Sequence, residues 1–425
     1  MVRVRIAPSP TGIPHIGNTR TALFNYLFAR HNKGKFIVRI EDTDRARIVP
    51  GATKAIFEIL TWLGLFWDEK YIQSERKKIY EEHVNKLLDK GFAYRDEGAV
   101  RFRMPKTGET SWGDLIGGKH ISFKNELQED FIILKSDGFP TYNFANVIDD
   151  HLMEITDVIR GEEFISSTPK HIKLYEAFKW KHPNFAHLPI VLGSDRTKLS
   201  KRHGAESILD YREKGYLKDA LLNYMALLGW RFAGQMEDEE KTPHVFPERE
   251  IMSLDFMIRF FELKDVNTAS PIFDLQKLTW MNGGYIRMMD NQTLKSTLTD
   301  FYKEDLDITT FMKGDSKAVD LILDLAKTRM KTLKEFKDLV ISKKTKLSTD
   351  EKNIARITYE KFSSIESWNK EAILNSIREV LQENKIKGSV LYKIITGFET
   401  GLPLPESLEI LGKEKTLGRI KKASS

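Results

Sequence analysis

Over residues 2–7, apolar Val2, Val4 and Ile6 alternate with Arg3 and Arg5, the period of a strand, and the alternation stops at Pro8. Ala22, Leu23, Tyr26 and Leu27 then recur at helical spacing over 19–32, with Gly34 as a stop. FIVRI at 36–40 predicts a second strand. Pro50 suits the first turn of a helical element that continues through AIFEILTWLGL at 55–65. Another helix is expected from Glu75 to Lys90, with Ser74 as its N-cap. Strand, helix, strand, helix in this order predicts a parallel sheet with crossover helices.

Residues 91–130 break that rhythm. They are rich in Gly, Lys and Asp and carry short strand-like pieces such as VRFRM, so they read as an insertion between two halves of an α/β domain. FIILK at 131–135 is expected to resume the sheet, and ITDVIRG at 155–161, a helix near 168–178 and LPIVLG at 188–193 to complete it. From about 205 the pattern turns helical, and EDEEK at 237–241 reads as a surface loop. Residues 291–425 are mostly amphipathic helix patterns, with turns near GLPLP at 401–405, and no internal repeat is present.

A chain of 425 residues exceeds one compact core, and roughly two to four domains are expected. Hydrophobic residues make up 41% and charged residues 30%, the balance of a soluble globular protein. No apolar run approaches the roughly 18 residues of a membrane helix, and the immediate entry into a strand predicts no signal peptide. With no cysteine there is neither disulfide nor thiolate zinc site, which is compatible with the cytoplasm. The net charge of +6 is uneven: residues 291–425 hold 25 Lys and Arg against 20 Asp and Glu. A basic C-terminal part on a near-neutral body fits a polyanionic partner, although a solvated lysine-rich helical face would read the same.

Two stretches carry chemistry. The first, APSPTGIPHIGN at 7–18, joins the first strand to the first helix. Beyond the carboxyl end of a strand, such a loop can bring backbone amides and a helix N-terminus to a phosphate. Gly12 and Gly17 permit close approach, Pro8, Pro10 and Pro14 stiffen the loop, and His15 and Asn18 can donate to phosphate oxygens. It is neither a Walker loop nor a G-x-G-x-x-G fingerprint. The second, SDRTKLSKRHGA at 194–205, gathers Lys198, Ser200, Lys201 and Arg202 on a loop after a strand, where lysines can neutralise charge on a leaving pyrophosphate.

Together these stretches resemble the HIGH and KMSKS signatures of the class I aminoacyl-tRNA synthetases. His15-Ile16-Gly17-Asn18 and Lys198-Leu199-Ser200-Lys201-Arg202 occupy the two places. The Asn at the fourth HIGH position is usual in the bacterial-type glutamyl-tRNA synthetases. RIAPSPTG (5–12), VRIEDTDRAR (38–47), PTYNFANVIDDHLMEITDVIRGEE (140–163), LLNYMALLGW (221–230) and LGKEKTLGRI (411–420) are similar to the same branch.

The resemblance implies an α/β fold with a doubly wound, Rossmann-like catalytic domain in two parts (1–90 and 131–190). A shortened insertion at 91–130 would grip the acceptor end of tRNA. The KLSKR loop and a helical stem-contact region would follow at 191–290, and an all-α anticodon-binding region at 291–425. It implies that Arg5, Ser9, Glu41, Tyr142, Asn146 and Arg160 bind L-glutamate, with Arg160 on the γ-carboxylate and Glu41 on the ammonium group. Arginine suits a carboxylate because its planar fork can bind both oxygens at once. Thr11, His15, Gly17, Asn18, Glu163, Lys198, Ser200 and Lys201 would bind ATP, with His15, Lys198 and Lys201 catalytic and Mg²⁺ beside the phosphates. The expected partner is tRNA-Glu, with tRNA-Gln left open, for a cytoplasmic monomer that binds no membrane.

The chain departs from relatives between Tyr94 and Val100, where it has only RDEGA in place of a longer segment. Some relatives carry zinc-binding cysteines there, so no zinc is expected. Glutaminyl and archaeal-type enzymes usually have P-E-P-S-G in place of Pro8-Ser9-Pro10-Thr11-Gly12. A paralogue that glutamylates queuosine on tRNA-Asp shares the early motifs but lacks the C-terminal region. A non-catalytic RNA-binding relic would be expected to lose the signature lysines.

Overall fold

The computed structural model describes residues 1–200, 206–232 and 250–424. The chain forms two units, one of residues 1–212 with 218–278 and one of 213–217 with the segment from 279 onward. Among the described residues no helix is long and apolar enough to cross a membrane.

The first unit begins with β1 (Arg3–Ile6), α1 (Ile16–His31), β2 (Lys35–Ile40), α2 (Ala52–Leu63) and β3 (Glu69–Ile72). The strands pair parallel in the order β1-β2-β3, with Val4 opposite Phe36 and Ile37 opposite Glu69. α3 (Lys77–Asp89) follows, then β4 (Ala93–Asp96), β5 (Ala99–Phe102), β6 (Glu109–Gly113), β7 (His120–Lys124) and β8 (Phe131–Leu134). Next come α4 (Tyr142–Leu152), β9 (Asp157–Gly161), α5 (Thr168–Phe178) and β10 (Asn184–Leu188). β9 and β10 are a second parallel pair. Thr156 joins the two ribbons: its N–H donates to Arg3 O at 2.9 Å, and its carbonyl accepts from Asn184 N at 2.9 Å. The unit ends in α6 (Ile208–Glu213), α7 (Lys218–Leu227), α8 (Leu254–Phe260) and the start of α9 (Leu275–Met288).

The strand–helix order behaves as the apolar pattern predicts, with four differences. The helix expected over 19–32 begins at Ile16, because His15 caps it and its first turn is the motif itself. Ser74 is not an N-cap: Gln73–Arg76 form a 3₁₀ turn whose Ser74 N–H donates to Asp42 Oδ1 at 2.8 Å, and α3 starts at Lys77. FIILK does not rejoin the parallel sheet. It pairs antiparallel with β5 in the sheet β4-β5-β8, Phe102 opposite Phe131. Its burial alternates, Phe131 and Ile133 inward and Ile132 and Leu134 half-buried, as in a strand covered on one face, whereas β9 is buried at four successive residues. LPIVLG is not the last strand; NFAHL just before it is, and Pro189, which has no N–H to give a ladder, follows the strand end. EDEEK lies outside the described residues.

Two apolar clusters support this unit. Tyr80, Val84, Phe102, Ile133, Phe144 and Leu174 fill the space between α3, α4, α5 and the antiparallel sheet. Ile37, Trp112, Val158, Ile172 and Phe185 fix the β6–β7 hairpin to the parallel strands. The second unit is helical: α10 (Asn291–Phe301), α11 (Leu306–Met312), α12 (Ser316–Lys327), α13 (Phe336–Val340), α14 (Thr349–Ser363), α15 (Lys370–Glu383), α16 (Gly388–Thr396), α17 (Leu404–Leu411) and α18 (Lys413–Ser424). Ile373, Val380, Leu391, Ile395 and Leu408 are among its core residues.

Candidate active site

The carboxyl end of β1 opens into a cavity of about 840 Å³. The loop after β1 is tied to the exit of β2, Glu41 N–H donating to Pro8 O at 3.0 Å and Val49 N–H to Pro10 O at 2.9 Å. His15 ends the loop as the N-cap of α1, and its Nδ1 accepts from Gly17 N at 3.0 Å. A Cβ on Gly17 would stand 2.9 Å from His15 Cε1, so the glycine is what lets the imidazole fold over the first turn. Burial first, then the charge of Lys198, lowers the His15 pKa. The neutral ring with Nδ1 accepting carries its proton on Nε2, which makes His15 a donor at a helix N-terminus.

On the same cavity lie Arg5, Glu41, Tyr142, Asn146 and Arg160. Arg39, fully buried, holds Asp150 Oδ1 at 2.7 Å and Glu41 Oε1 at 3.0 Å. Asp150 in turn accepts from Arg5 Nε at 3.0 Å. Burial raises the Glu41 pKa while Arg39 and Arg5 oppose it. Asn146 Nδ2 donates to Glu41 Oε1 at 3.1 Å, and its buried Oδ1 has no hydrogen-bond partner among the described residues, which leaves an acceptor for a donor from a ligand.

Arg160 is 4% exposed, yet among the described residues no carboxylate lies within 4.0 Å of it. Its donors meet neutral acceptors instead: Tyr142 OH at 3.2 Å, Thr168 Oγ1 at 2.8 Å, Phe164 O at 3.3 Å, His187 Nε2 at 3.2 Å and His171 Nδ1 at 3.2 Å. Burial lowers its pKa. A buried guanidinium without a counter-ion is costly, and an anionic ligand relieves it.

Ser9, Thr11, Asn18, Glu163 and Lys198 complete the set brought together here, and Ser9, Asn18 and Lys198 are exposed. The second motif begins in a tight hairpin: Gly193 N–H donates to Thr197 O at 2.8 Å and Leu199 N–H to Val191 O at 2.9 Å. Lys198 Nζ stands 3.4 Å from Glu163 Oε1. Ser200 is half-buried and does not line the cavity, and Lys201 with Arg202 lies outside the described residues.

Sequence reasoning missed Arg39, Asp150, Thr168, His171 and His187 behind this wall and the buried Arg20 in it. Arg20 donates to Leu228 O at 2.7 Å and to Pro189 O, and burial pushes its pKa down to about 10. Two signals were present. Arg39 is a charge inside the apolar strand FIVRI, and Asp149 and Asp150 follow Asn146 at i+3 and i+4 on one helix face.

Comparison with known proteins bears on this geometry. Residues 1–99 and 97–280 match the family of class I tRNA synthetases (E and Q), catalytic domain, and residues 297–424 match an anticodon binding domain. The chain is 40% identical to a glutamate–tRNA ligase of Dehalococcoides mccartyi over an alignment of 484 positions, covering 99% of this chain and 97% of that protein. It is 38% identical to one of Thermodesulfovibrio yellowstonii, covering 99% of each. Both alignments are longer than the chain, so these relatives carry residues that this one lacks. The fold is similar to the crystal structure of a glutamate tRNA ligase from Elizabethkingia meningosepticum in complex with its amino acid, with a TM-score of 0.79 and 32% identity over 100% of this chain and 99% of that one. With His15, Gly17 and Asn18 of the first motif and Lys198 and Leu199 of the second at one cavity, and the match running through both units, the chain belongs to the class I tRNA synthetases of the glutamate and glutamine branch.

Proposed function

We propose that this chain is a glutamate–tRNA ligase that activates L-glutamate with ATP and transfers it to the 3′ end of tRNA-Glu. The carrying observation is Arg160, a buried cation that no carboxylate contacts among the described residues, in the cavity that also holds Arg5, Glu41 and Asn146. The γ-carboxylate meets Arg160 and Tyr142, the ammonium meets Glu41 and Asn146 Oδ1, and Arg5 with Ser9 holds the remaining carboxylate. Glutamine would place a neutral amide at Arg160 and leave that charge uncompensated.

In the first step an oxygen of the α-carboxylate attacks the α-phosphorus of ATP, and the bond to the pyrophosphate oxygen breaks. In the second, the 2′-hydroxyl of the terminal adenosine attacks the acyl carbon and AMP leaves. No side chain acts as nucleophile, so catalysis is positioning and charge compensation. His15 Nε2–H, the amides of Gly17 and Asn18, and Thr11 receive the phosphates; Lys198 and the loop bearing Ser200 and Lys201 neutralise the departing pyrophosphate. Glu163, at the cavity edge beside Lys198, would be the carboxylate to hold a Mg²⁺ that the phosphates bring, and the ion would supply further charge compensation for the departing pyrophosphate. The insertion, extended to include β8, takes the acceptor end, residues 191–290 contact the stem, and the helical region from 291 reads the anticodon. The anticodon-domain match over 297–424 counts against the shorter queuosine-type paralogue.

Charging of purified tRNA-Glu and tRNA-Gln with labelled glutamate, ATP and Mg²⁺ tests the reading. Charging of tRNA-Glu is expected. Charging of both marks a non-discriminating enzyme, and charging of neither overturns the assignment.

A further inference from the structure

The β6–β7 hairpin belongs to the inserted segment, yet its turn reaches the wall of the cavity. Leu115 N–H donates to Phe185 O at 2.9 Å, which lays the turn against β10. Asp114, 5% exposed, sits at that turn. Its Oδ1 accepts from Ile116 N at 3.0 Å and His187 N at 3.2 Å, and its Oδ2 lies 2.5 Å from His187 Nδ1. The other ring nitrogen, His187 Nε2, lies 3.2 Å from Arg160 Nε.

The chemistry of these atoms fixes where the proton is. A guanidinium N–H can only donate, so His187 Nε2 must present a lone pair to Arg160. The single proton of the neutral imidazole then sits on Nδ1, facing a carboxylate that can only accept. Burial lowers the His187 pKa and Asp114 opposes it, while Asp114 stays below the usual carboxylate value because its hydrogen bonds outweigh burial. His171 is held the other way round, its Nδ1 accepting from Arg160 and its Nε2 facing Asn143 Oδ1 at 3.1 Å.

We propose that Asp114, on the inserted hairpin, is a positioning residue for Arg160: it selects the His187 tautomer whose Nε2 accepts from the guanidinium, and so sets affinity for the amino-acid carboxylate. The inference rests on the reading of Arg160 as the carboxylate site. It makes the inserted hairpin part of the amino-acid site, at one remove from the substrate.

Asp114→Asn tests it with little change in size. The two backbone N–H groups hold the remaining oxygen and turn the amide NH₂ toward His187. The ring must then accept on Nδ1 and carry its proton on Nε2, donor against donor at Arg160. The expected result in aminoacylation is a KM for glutamate raised by about tenfold or more, the scale of one lost hydrogen bond to a charged group. The KM for ATP should stay within about twofold of the wild type. His187→Phe removes the relay, and Asp114→Asn added to it should change the glutamate KM no further. Additive effects, or equal changes in both KM values, overturn the proposal. Nδ1 also faces a carbonyl oxygen in His31, His83 and His182, so the ¹⁵N-histidine signal must be assigned to His187 as the one lost in His187→Phe. It must be that of a neutral imidazole carrying its proton on Nδ1, and a proton on Nε2 overturns the proposal. Arg160→Lys separates the two readings. If it leaves the glutamate KM unchanged, the carboxylate site itself is misassigned; if it raises that KM while Asp114→Asn does not, the relay alone falls.

Discussion

At the scale of single residues the decisive groups are charges that water does not reach. Arg39 is enclosed by Asp150 and Glu41, with Asp149 at 3.8 Å, and these carboxylates raise its pKa well above the ordinary value in spite of burial. Removing one member of such a cluster leaves the others uncompensated, which costs more than the pairing itself contributes. Arg39→Met is therefore expected to lower stability by about 3–5 kcal/mol, read as a fall in the thermal unfolding midpoint, and to raise the KM for glutamate because Glu41 and Asp150 lose their anchor. Glu69 differs in that it is partly exposed. Bidentate bonds from Arg3, both at 2.9 Å, with Lys35 at 2.9 Å, depress its pKa to about 2. Because the folded value lies below the unfolded one, its contribution is complete above about pH 4.5 and is lost as pH falls toward 2. The unfolding midpoints of the wild type and Glu69→Gln should accordingly differ at pH 7 and converge between pH 4.5 and 2.

Two serines show what decides at the scale of elements. Ser74 and Ser348 both precede a helical pattern, and only Ser348 caps one. It accepts from Glu351 N at 3.2 Å, while Glu351 Oε2 takes the Ser348 N–H at 2.8 Å. The third residue after Ser74 is Lys77, which cannot return that bond, and Asp42 holds the Ser74 amide instead. The capping-box spacing separates the two cases; the serine alone does not. Lys393 adds an ion pair to Glu351 at 2.6 Å. Ser348→Ala is expected to cost about 1 kcal/mol, measurable by chemical denaturation of the helical unit.

At the scale of the molecule the question is where RNA would be held. The basic run KTRMKTLKEFKDLVISKKTK at 327–346 is less uniform than its sequence implies. Lys337 is engaged by Asp305 at 2.6 Å, Lys327 pairs with Asp324 at 3.6 Å, and Lys343 lies over the Phe398 ring at 4.1 Å. Lys344 and Lys346 are exposed on the segment before α14. Reversing both charges, Lys344→Glu with Lys346→Glu, is expected to raise the KM for tRNA several-fold without moving those for glutamate or ATP. The slope of log affinity against log salt should shrink by about one for each phosphate that is no longer neutralised, and an unchanged slope would make this face a merely solvated one.

The sequence by itself determined most of the elements and the family. Periodicity placed β1, β2, α2 and the C-terminal helices, because burial of one face imposes its spacing on the apolar residues directly. The motifs H-I-G-N and K-L-S-K-R pointed to the family, since each is a short contiguous run that can be read without knowing the fold. Only the tertiary structure decided that FIILK joins an antiparallel sheet, because an apolar run states that it is buried and not which strand it pairs with. Only the tertiary structure, too, assembled Asp114, His187 and Arg160, or Arg5, Arg39 and Asp150. These groups lie up to 145 residues apart in the chain, and what unites them is the cost of burying a polar group unpaired, which no local pattern records.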